Sequence, residues 1–165
     1  MSRTEQNLQE AFAGESQANR KYLAFAKQAD QEGHHQAARL FRAAAEAETV
    51  HAHAHLKVLG GIKDTRENLK EAIAGETEEF QTMYPGMIED AKEEGNTAAQ
   101  RSFSYANTVE KVHAGLYETM LENLDKPSDS YSYYVCSVCG YTSEREAPDT
   151  CPVCGAKQKA FFKVD

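Results

Sequence analysis

The chain repeats itself in its charged residues. Ala11-Phe12-Ala13-Gly14-Glu15 returns as Ala72-Ile73-Ala74-Gly75-Glu76, 61 residues further on. Glu48-Thr49-Val50-His51-Ala52 returns as Glu110-Lys111-Val112-His113-Ala114 at an offset of 62, and Glu32-Gly33 returns as Glu94-Gly95 at the same offset. A repeat that served packing alone would reproduce apolar positions. This one reproduces Gly-Glu on one segment and Glu-x-x-His on the next, so whatever these acids and imidazoles do, both halves do it.

The segments that carry the repeat read as helices. Ala, Glu, Gln, Leu and Lys dominate residues 4–124, and strand-like β-branched runs are missing. The breaks are short: Gly33-His34, Gly60-Gly61, Gly95-Asn96, and then Asp125-Lys126-Pro127-Ser128, where Pro127 cannot continue a helix. Helices are expected near 4–32, 35–59, 64–94 and 97–124. Asp64 suits an N-cap, with Glu67 completing a capping-box-like pair. Short loops favour antiparallel neighbours, hence a mainly α four-helix bundle. Pro85 should bend the third helix.

The step in offset from 61 to 62 locates one extra residue. Tyr22 stands seven after Glu15, whereas Tyr84 stands eight after Glu76. One residue inserted into a continuous helix can be absorbed as a π-bulge, a feature common at functional sites. A π-bulge is therefore expected between Glu76 and Pro85.

Helix geometry gathers the acids. Glu15 and Glu48 lie 18 and 15 residues from Gly33, and Glu76 and Glu110 lie 19 and 15 from Gly95. At about 1.5 Å per residue, all four sit roughly 22–29 Å from their turns, near mid-bundle. The i,i+3 spacing in Glu48-x-x-His51 and Glu110-x-x-His113 sets both groups on one face. Four carboxylates in a bundle interior need counter-charge, which two divalent cations supply. One Glu on each of two helices, with Glu-x-x-His on each of the others, is the arrangement of ferritin-like di-iron or di-manganese proteins. A single Glu of this kind would ordinarily be a solvated surface residue; the duplicated constellation is what carries weight.

Other residues are less determined. Glu79 shares a face with Glu76, has no acidic counterpart at Ala18, and is either a fifth carboxylate ligand or an exposed helix Glu. Glu46 and Glu78 fall off the face. His55 shares the face of Glu48 and His51, but its repeat partner is Tyr117, so it is better read as filler. His34, His35 and His53 read as loop or surface residues. Tyr22 and Tyr84 can either hydrogen-bond ligand carboxylates or act as plain core aromatics.

Composition narrows the class. The 165-residue chain carries a formal net charge of −8, all of it within residues 1–130, while residues 131–165 hold four basic and four acidic groups. That balance argues against general nucleic-acid binding. No apolar run approaches the roughly 18 residues that would cross a bilayer. MSRTEQNLQE has no apolar stretch of a secretory signal, so cytoplasmic residence is expected. Two domains are expected: 1–130 as the bundle and 131–165 as a small module, joined by a linker at 125–131 that carries the module beyond a bundle end.

That module is too short for a hydrophobic core of its own. It contains all four cysteines, in Cys136-x-x-Cys139 and Cys151-x-x-Cys154. Paired CxxC knuckles imply a tetrahedral four-thiolate site, for zinc or iron. Gly140 and Gly155 follow the knuckles where turns need positive φ. A structural zinc ribbon fits the spacing as well as an iron centre does. Beside a two-metal oxygen-ligand site, a one-electron iron is the more useful occupant.

AFAGESQANRKYLAFA, the ETVHA segment, AIAGETEEFQTMYPGMIEDAKEEG, the EKVHA segment and the CSVCGY…CPVCGA tail together resemble the rubrerythrin family over nearly the whole chain. The resemblance implies a ferritin-like di-iron four-helix bundle followed by a rubredoxin-like Fe(Cys)4 domain. It implies di-iron ligands at Glu15, Glu48, His51, Glu76, Glu79, Glu110 and His113, with Glu48 and Glu110 bridging and with Glu79 and His51 exchanging at one iron as the redox state changes. It implies a third iron, replaceable by zinc, on Cys136, Cys139, Cys151 and Cys154. The 11-residue spacer from Cys139 to Cys151 fits the rubrerythrin type, and Tyr134 stands where relatives often have an aromatic. The chain contains no Trp, so the resemblance carries less detail around the sulfur site.

The implied function is a non-haem peroxidase, an oxidoreductase that reduces hydrogen peroxide to water in oxidative-stress defence. Electrons would come through the four-cysteine iron from rubredoxin or a nicotinamide-dependent reductase. No nucleotide fingerprint occurs here, so that reductase is a separate protein. Transfer within one subunit is expected to be too long, which points to a head-to-tail or helix-swapped homodimer. The alternative from the same bundle is a ferroxidase or iron-handling protein. A third possibility is a binding module with structural zinc.

Overall fold

A computed structural model of the chain describes residues 1–126 and 129–165. The expected stop at Pro127, and part of the 125–131 linker, lie outside the described residues. Two compact units follow one another along the chain, Met1–Lys63 and Asp64–Asp165.

The first unit is a helix pair, α1 (Arg3–Gln31) and α2 (His35–Val58). Ser2 and Glu5 form a reciprocal capping box at its start. Small residues let the two backbones approach: Ala26, Ala29, Ala38, Ala45 and Ala52 are buried. Asn19 Nδ2 crosses from α1 to donate to Ala45 O at 2.7 Å and Thr49 Oγ1 at 2.9 Å. Tyr22, Phe25 and Phe41 cluster towards the turn, with ring centroids 5.6–6.3 Å apart. That contact favours the core-aromatic alternative for Tyr22.

The second unit opens with α3 (Thr65–Glu78), a π-turn (Glu79–Met83) and α4 (Tyr84–Glu93) as consecutive segments of one helical rod. The inserted residue expected between Glu76 and Pro85 is thus absorbed as a π-turn. Pro85 stands in the first turn of α4. There the i→i−4 ladder is being re-established, so its missing N–H is tolerated. Helix α5 (Thr97–Asn123) returns alongside.

The duplication extends to the turns. Gly33 and Gly95 adopt φ of +82° and +67°, a conformation that favours glycine. In both turns the third residue after the helix donates back, His34 N to Ala29 O and Asn96 N to Ala91 O, each at 2.8 Å.

The tail forms a three-stranded antiparallel sheet from β1 (Tyr133–Cys136), β2 (Thr142–Glu144) and β3 (Phe161–Val164), in the order β2-β1-β3. Gly140 and Gly155 adopt φ of +86° and +76°, as the knuckle spacing predicts. The sheet does not stand off beyond the helix end. It folds back on α5: a Cβ built on Gly140 would lie 3.7 Å from Cγ1 of the buried Val109, and Thr142 reaches His113. The expectation of a tail held away from its own helices is therefore corrected. A knuckle without a core of its own gains cover by packing on a neighbouring helix.

Asp64 caps α3, accepting from Glu67 N at 2.9 Å, while Glu67's carboxylate accepts from Lys70 rather than completing a described box. Asp64→Ala should lower unfolding stability by about 1 kcal/mol. The measurement is the urea midpoint by circular dichroism, and an unshifted midpoint would count against the cap.

Candidate metal centres

Each helix pair brings one Glu and one Glu-x-x-His together. In the first unit, Glu15, Glu48 and His51 offer ligand atoms within 4.8 Å of one another. His51 Nδ1 lies 2.9 Å from Glu48 Oε2 and 3.9 Å from Glu15 Oε1. In the second unit, Glu76, Glu110 and His113 repeat the pattern, with His113 Nδ1 2.7 Å from Glu110 Oε2 and 3.8 Å from Glu76 Oε1. The match follows from the duplicated sequence: i,i+3 spacing sets His beside Glu on one helix, and the Gly-Glu helix supplies the facing acid.

Burial distinguishes the two triads. The carboxylates of Glu48, Glu76 and Glu110 are 17–20% exposed, whereas the His51 imidazole is 55% exposed and His113 only 26%. The acids are largely shielded, and the His51 imidazole is the most exposed group of the two triads.

Electrostatics report the crowding of negative charge in the second triad. Burial, then the negative charge of Glu110 and the proton shared with it, then Glu79, push Glu76 up from 4.5 to about 7. Glu79 is also raised, by burial and then by Glu110, with His113 opposing. Glu79 lies outside both triads, on the first residue of the π-turn. Its charge still couples to Glu110, which the exposed-Glu alternative would not require. Tyr84 is raised by burial and then by Glu79, Glu110 and Glu76. It therefore sits in the field of the carboxylates, while its repeat partner Tyr22 belongs to an aromatic cluster.

Other assignments hold or shift. Glu46, Glu78, His34, His35 and His53 are exposed. Tyr117 was expected only as the partner of His55. Its hydroxyl is raised by burial and then by Glu76 and Glu110, and it lines a cavity of about 380 Å³ with Glu76 and His113. Sequence reasoning also passed over Thr142, whose Oγ1 lies 3.0 Å from His113 Nε2. Only the i,i+7 spacing from Glu110 hinted at Tyr117, and nothing local marks Thr142.

The donor sets fit cations. Two ligand atoms bound at about 2.1 Å and 90° to one ion stand about 3 Å apart, close to the 2.7 and 2.9 Å seen between imidazole and carboxylate. In the tail, Cys136 and Cys154 sulfurs are 3.7 Å apart and those of Cys139 and Cys151 are 3.6 Å. A tetrahedron with metal–sulfur bonds of about 2.3 Å has edges near 3.8 Å. Burial works against the Cys151 thiolate, yet N–H groups of Cys154 and Val153 more than offset it and bring the thiol down to about 7. Burial raises Cys139 and Cys154. A cation bound by the four sulfurs would ionise the thiols and offset the burial that opposes their charge.

Two carboxylate–histidine triads on paired helices, followed by a four-thiol knuckle, define an iron-binding ferritin-like protein with a rubredoxin-like tail. The rubrerythrin model matches residues 6–121, and the model of the rubrerythrin rubredoxin-like domain matches 134–162. The chain belongs to the rubrerythrin family. It is 36% identical over 172 residues to nigerythrin of Nitratidesulfovibrio vulgaris, covering 96% of this chain and 85% of that protein. It is 36% identical over 180 residues to rubrerythrin of Porphyromonas gingivalis, covering 98% and 90%. A solved mixed-valence state of nigerythrin covers 99% of this chain and 88% of its own, with a TM-score of 0.59 and 35% identity. A fully reduced, all-ferrous state of nigerythrin matches with a TM-score of 0.60. The cofactors are accordingly iron, in carboxylate–histidine and four-cysteine sites. No helix among the described residues is long and apolar enough to cross a membrane.

Because Glu76 is harder to ionise when folded, its contribution to metal-free stability is complete below about 4.5 and is lost as pH rises through about 7. Glu76→Gln should remove that loss. Urea unfolding of the metal-free protein at about pH 5 and about pH 8 should show a flatter dependence in the variant. Equal slopes would contradict the assignment.

Proposed function

We propose that this protein is a non-haem di-iron peroxidase that reduces hydrogen peroxide to two waters, taking up two electrons and two protons. The two triads of matching geometry, in one chain with a four-thiol cluster, are the observation that carries this function. In this reading Glu15, Glu48, His51, Glu76, Glu79, Glu110 and His113 hold two irons, and Cys136, Cys139, Cys151 and Cys154 hold a third. Residues 1–130 act as the bundle and 131–165 as the electron-accepting module.

Iron held by these residues would supply the two electrons that peroxide reduction needs, and iron on the four cysteines would supply their replacement. The chain's own residues do the rest. Glu48 and Glu110, each close to its own imidazole, would offset the charge of the cations held there. Glu79, at the π-turn and outside the triads, is the movable carboxylate that can approach when positive charge increases. Its raised affinity for a proton also suits it to carry one towards a departing oxygen. Leu69, Leu116 and Met120 give the cavity beside Glu76 and His113 an apolar wall, suited to a small neutral molecule such as hydrogen peroxide.

Electrons come from an external donor, reduced rubredoxin or a nicotinamide-dependent reductase. A cytoplasmic homodimer, head-to-tail or helix-swapped, completes this reading.

The test is rapid mixing of the anaerobically reduced, iron-loaded protein with hydrogen peroxide and, separately, with dioxygen. Peroxide should oxidise it faster, with two electrons leaving the paired irons per peroxide. Faster oxidation by dioxygen would replace the peroxidase with an oxidase.

A further inference from the structure

Thr142 belongs to the cysteine-bearing tail, yet its hydroxyl meets the one nitrogen of His113 that faces away from the carboxylates. His113 Nδ1 points at Glu110 Oε2, 2.7 Å away, and Nε2 lies 3.0 Å from Thr142 Oγ1. Thr142 in turn donates to Gly140 O at 3.1 Å. A hydroxyl has one proton to give. If that proton goes to the Gly140 carbonyl, Thr142 can only accept from His113, and the imidazole must carry its proton on Nε2. Nδ1 is then a bare lone pair set against a carboxylate oxygen, an arrangement that is favourable only with a cation between them.

We propose that Thr142 is a positioning residue: from the tail it holds His113 as the Nε2–H tautomer and so presents Nδ1 to a metal beside Glu76 and Glu110. The proposal deepens the functional reading above and rests on its assignment of His113 as a metal ligand.

The other half of the duplication makes the contrast. His51 has the same Nδ1 contact with its own Glu48, but among the described residues its Nε2 has no hydrogen-bond partner, and its ring is 55% exposed. His113 is 26% exposed. Sequence symmetry thus ends in a structural asymmetry: His113 has a polar partner at each ring nitrogen, and His51 has its partner at Nδ1. Gly140 also follows Cys139 directly, and its N–H donates to Cys136 O at 2.8 Å. The contact therefore joins the first knuckle to the triad through Gly140 O, Thr142 Oγ1 and His113 Nε2.

The test uses full-length, ¹⁵N-labelled protein with zinc in its cysteine site and further zinc added for the carboxylate sites, in three forms: wild type, Thr142→Ser and Thr142→Val. Long-range ¹H–¹⁵N spectra report which His113 nitrogen is metallated and how fast the other nitrogen's proton exchanges with water. Wild type and Thr142→Ser should show metallated Nδ1 and a slowly exchanging Nε2–H. Thr142→Val, equal in shape but without the hydroxyl, should lose that protection. It should also bind the added zinc about 10-fold more weakly, the lower end of what a lost outer hydrogen bond to a metal ligand produces. An unchanged cysteine-site spectrum shows that the variant tail is folded. Metallation at Nε2, or a Val variant with wild-type protection and affinity, would overturn the proposal. Failure of wild type to bind zinc beyond the cysteine site would instead overturn the metal-ligand reading of His113. Slow Nε2–H exchange that depends on the Thr142 hydroxyl would survive that result.

Discussion

Carboxylates that approach one another out of water repel, and the repulsion must be relieved by a proton or a cation. Glu76 shows the first solution, holding its proton to about 7 because it is buried and faces Glu110. A metal is the second, and the neighbouring imidazole nitrogen is a donor that it can take. An isolated acid cluster could be satisfied by protons alone. Adding one imidazole per cluster, at matching positions on two helix pairs, supplies the neutral nitrogen donors that transition metals take and that protonated acids do not need. The alanine-lined approach of α1 to α2 and the capped turns serve to bring those groups together.

The π-turn follows from the same demand. The second Gly-Glu helix departs from the first twice over a short stretch, with an acid at 79 where the first has Ala18 and with one extra residue before Tyr84. The insertion lets Glu79 sit beside the triad without belonging to it and moves Tyr84 into the field of three carboxylates. An acid at 79 in place of Ala18, followed by one inserted residue, thus gives the second half a carboxylate near the triad and a phenol in the field of the acids, whereas Tyr22 packs among aromatic rings.

Much of this was legible in the residues. The duplicated Gly-Glu and Glu-x-x-His motifs predict both triads, since helix geometry turns i,i+3 spacing directly into proximity. The one-residue change of offset places the π-turn, and paired CxxC knuckles with following glycines predict the sulfur cluster and its positive-φ turns. What escaped was non-local. Nothing in YTSE announces that Thr142 will meet a histidine 29 residues earlier in the chain. The tail's return to α5 depends on burying Val109 and covering Gly140, contacts without sequence periodicity. Repeat symmetry likewise misleads for Tyr22 and Tyr84, because phenylalanines at 25 and 41 draw one ring into a cluster while the π-turn directs the other to the site.

The central claim is that cations hold these acids and imidazoles together. Anomalous diffraction at the iron edge from crystals of the iron-loaded protein tests it directly. Iron should appear within bonding distance of Glu48 and His51, of Glu110 and His113, and at the centre of the four sulfurs. Iron on the sulfurs alone, with the glutamates dispersed into water, would contradict the account.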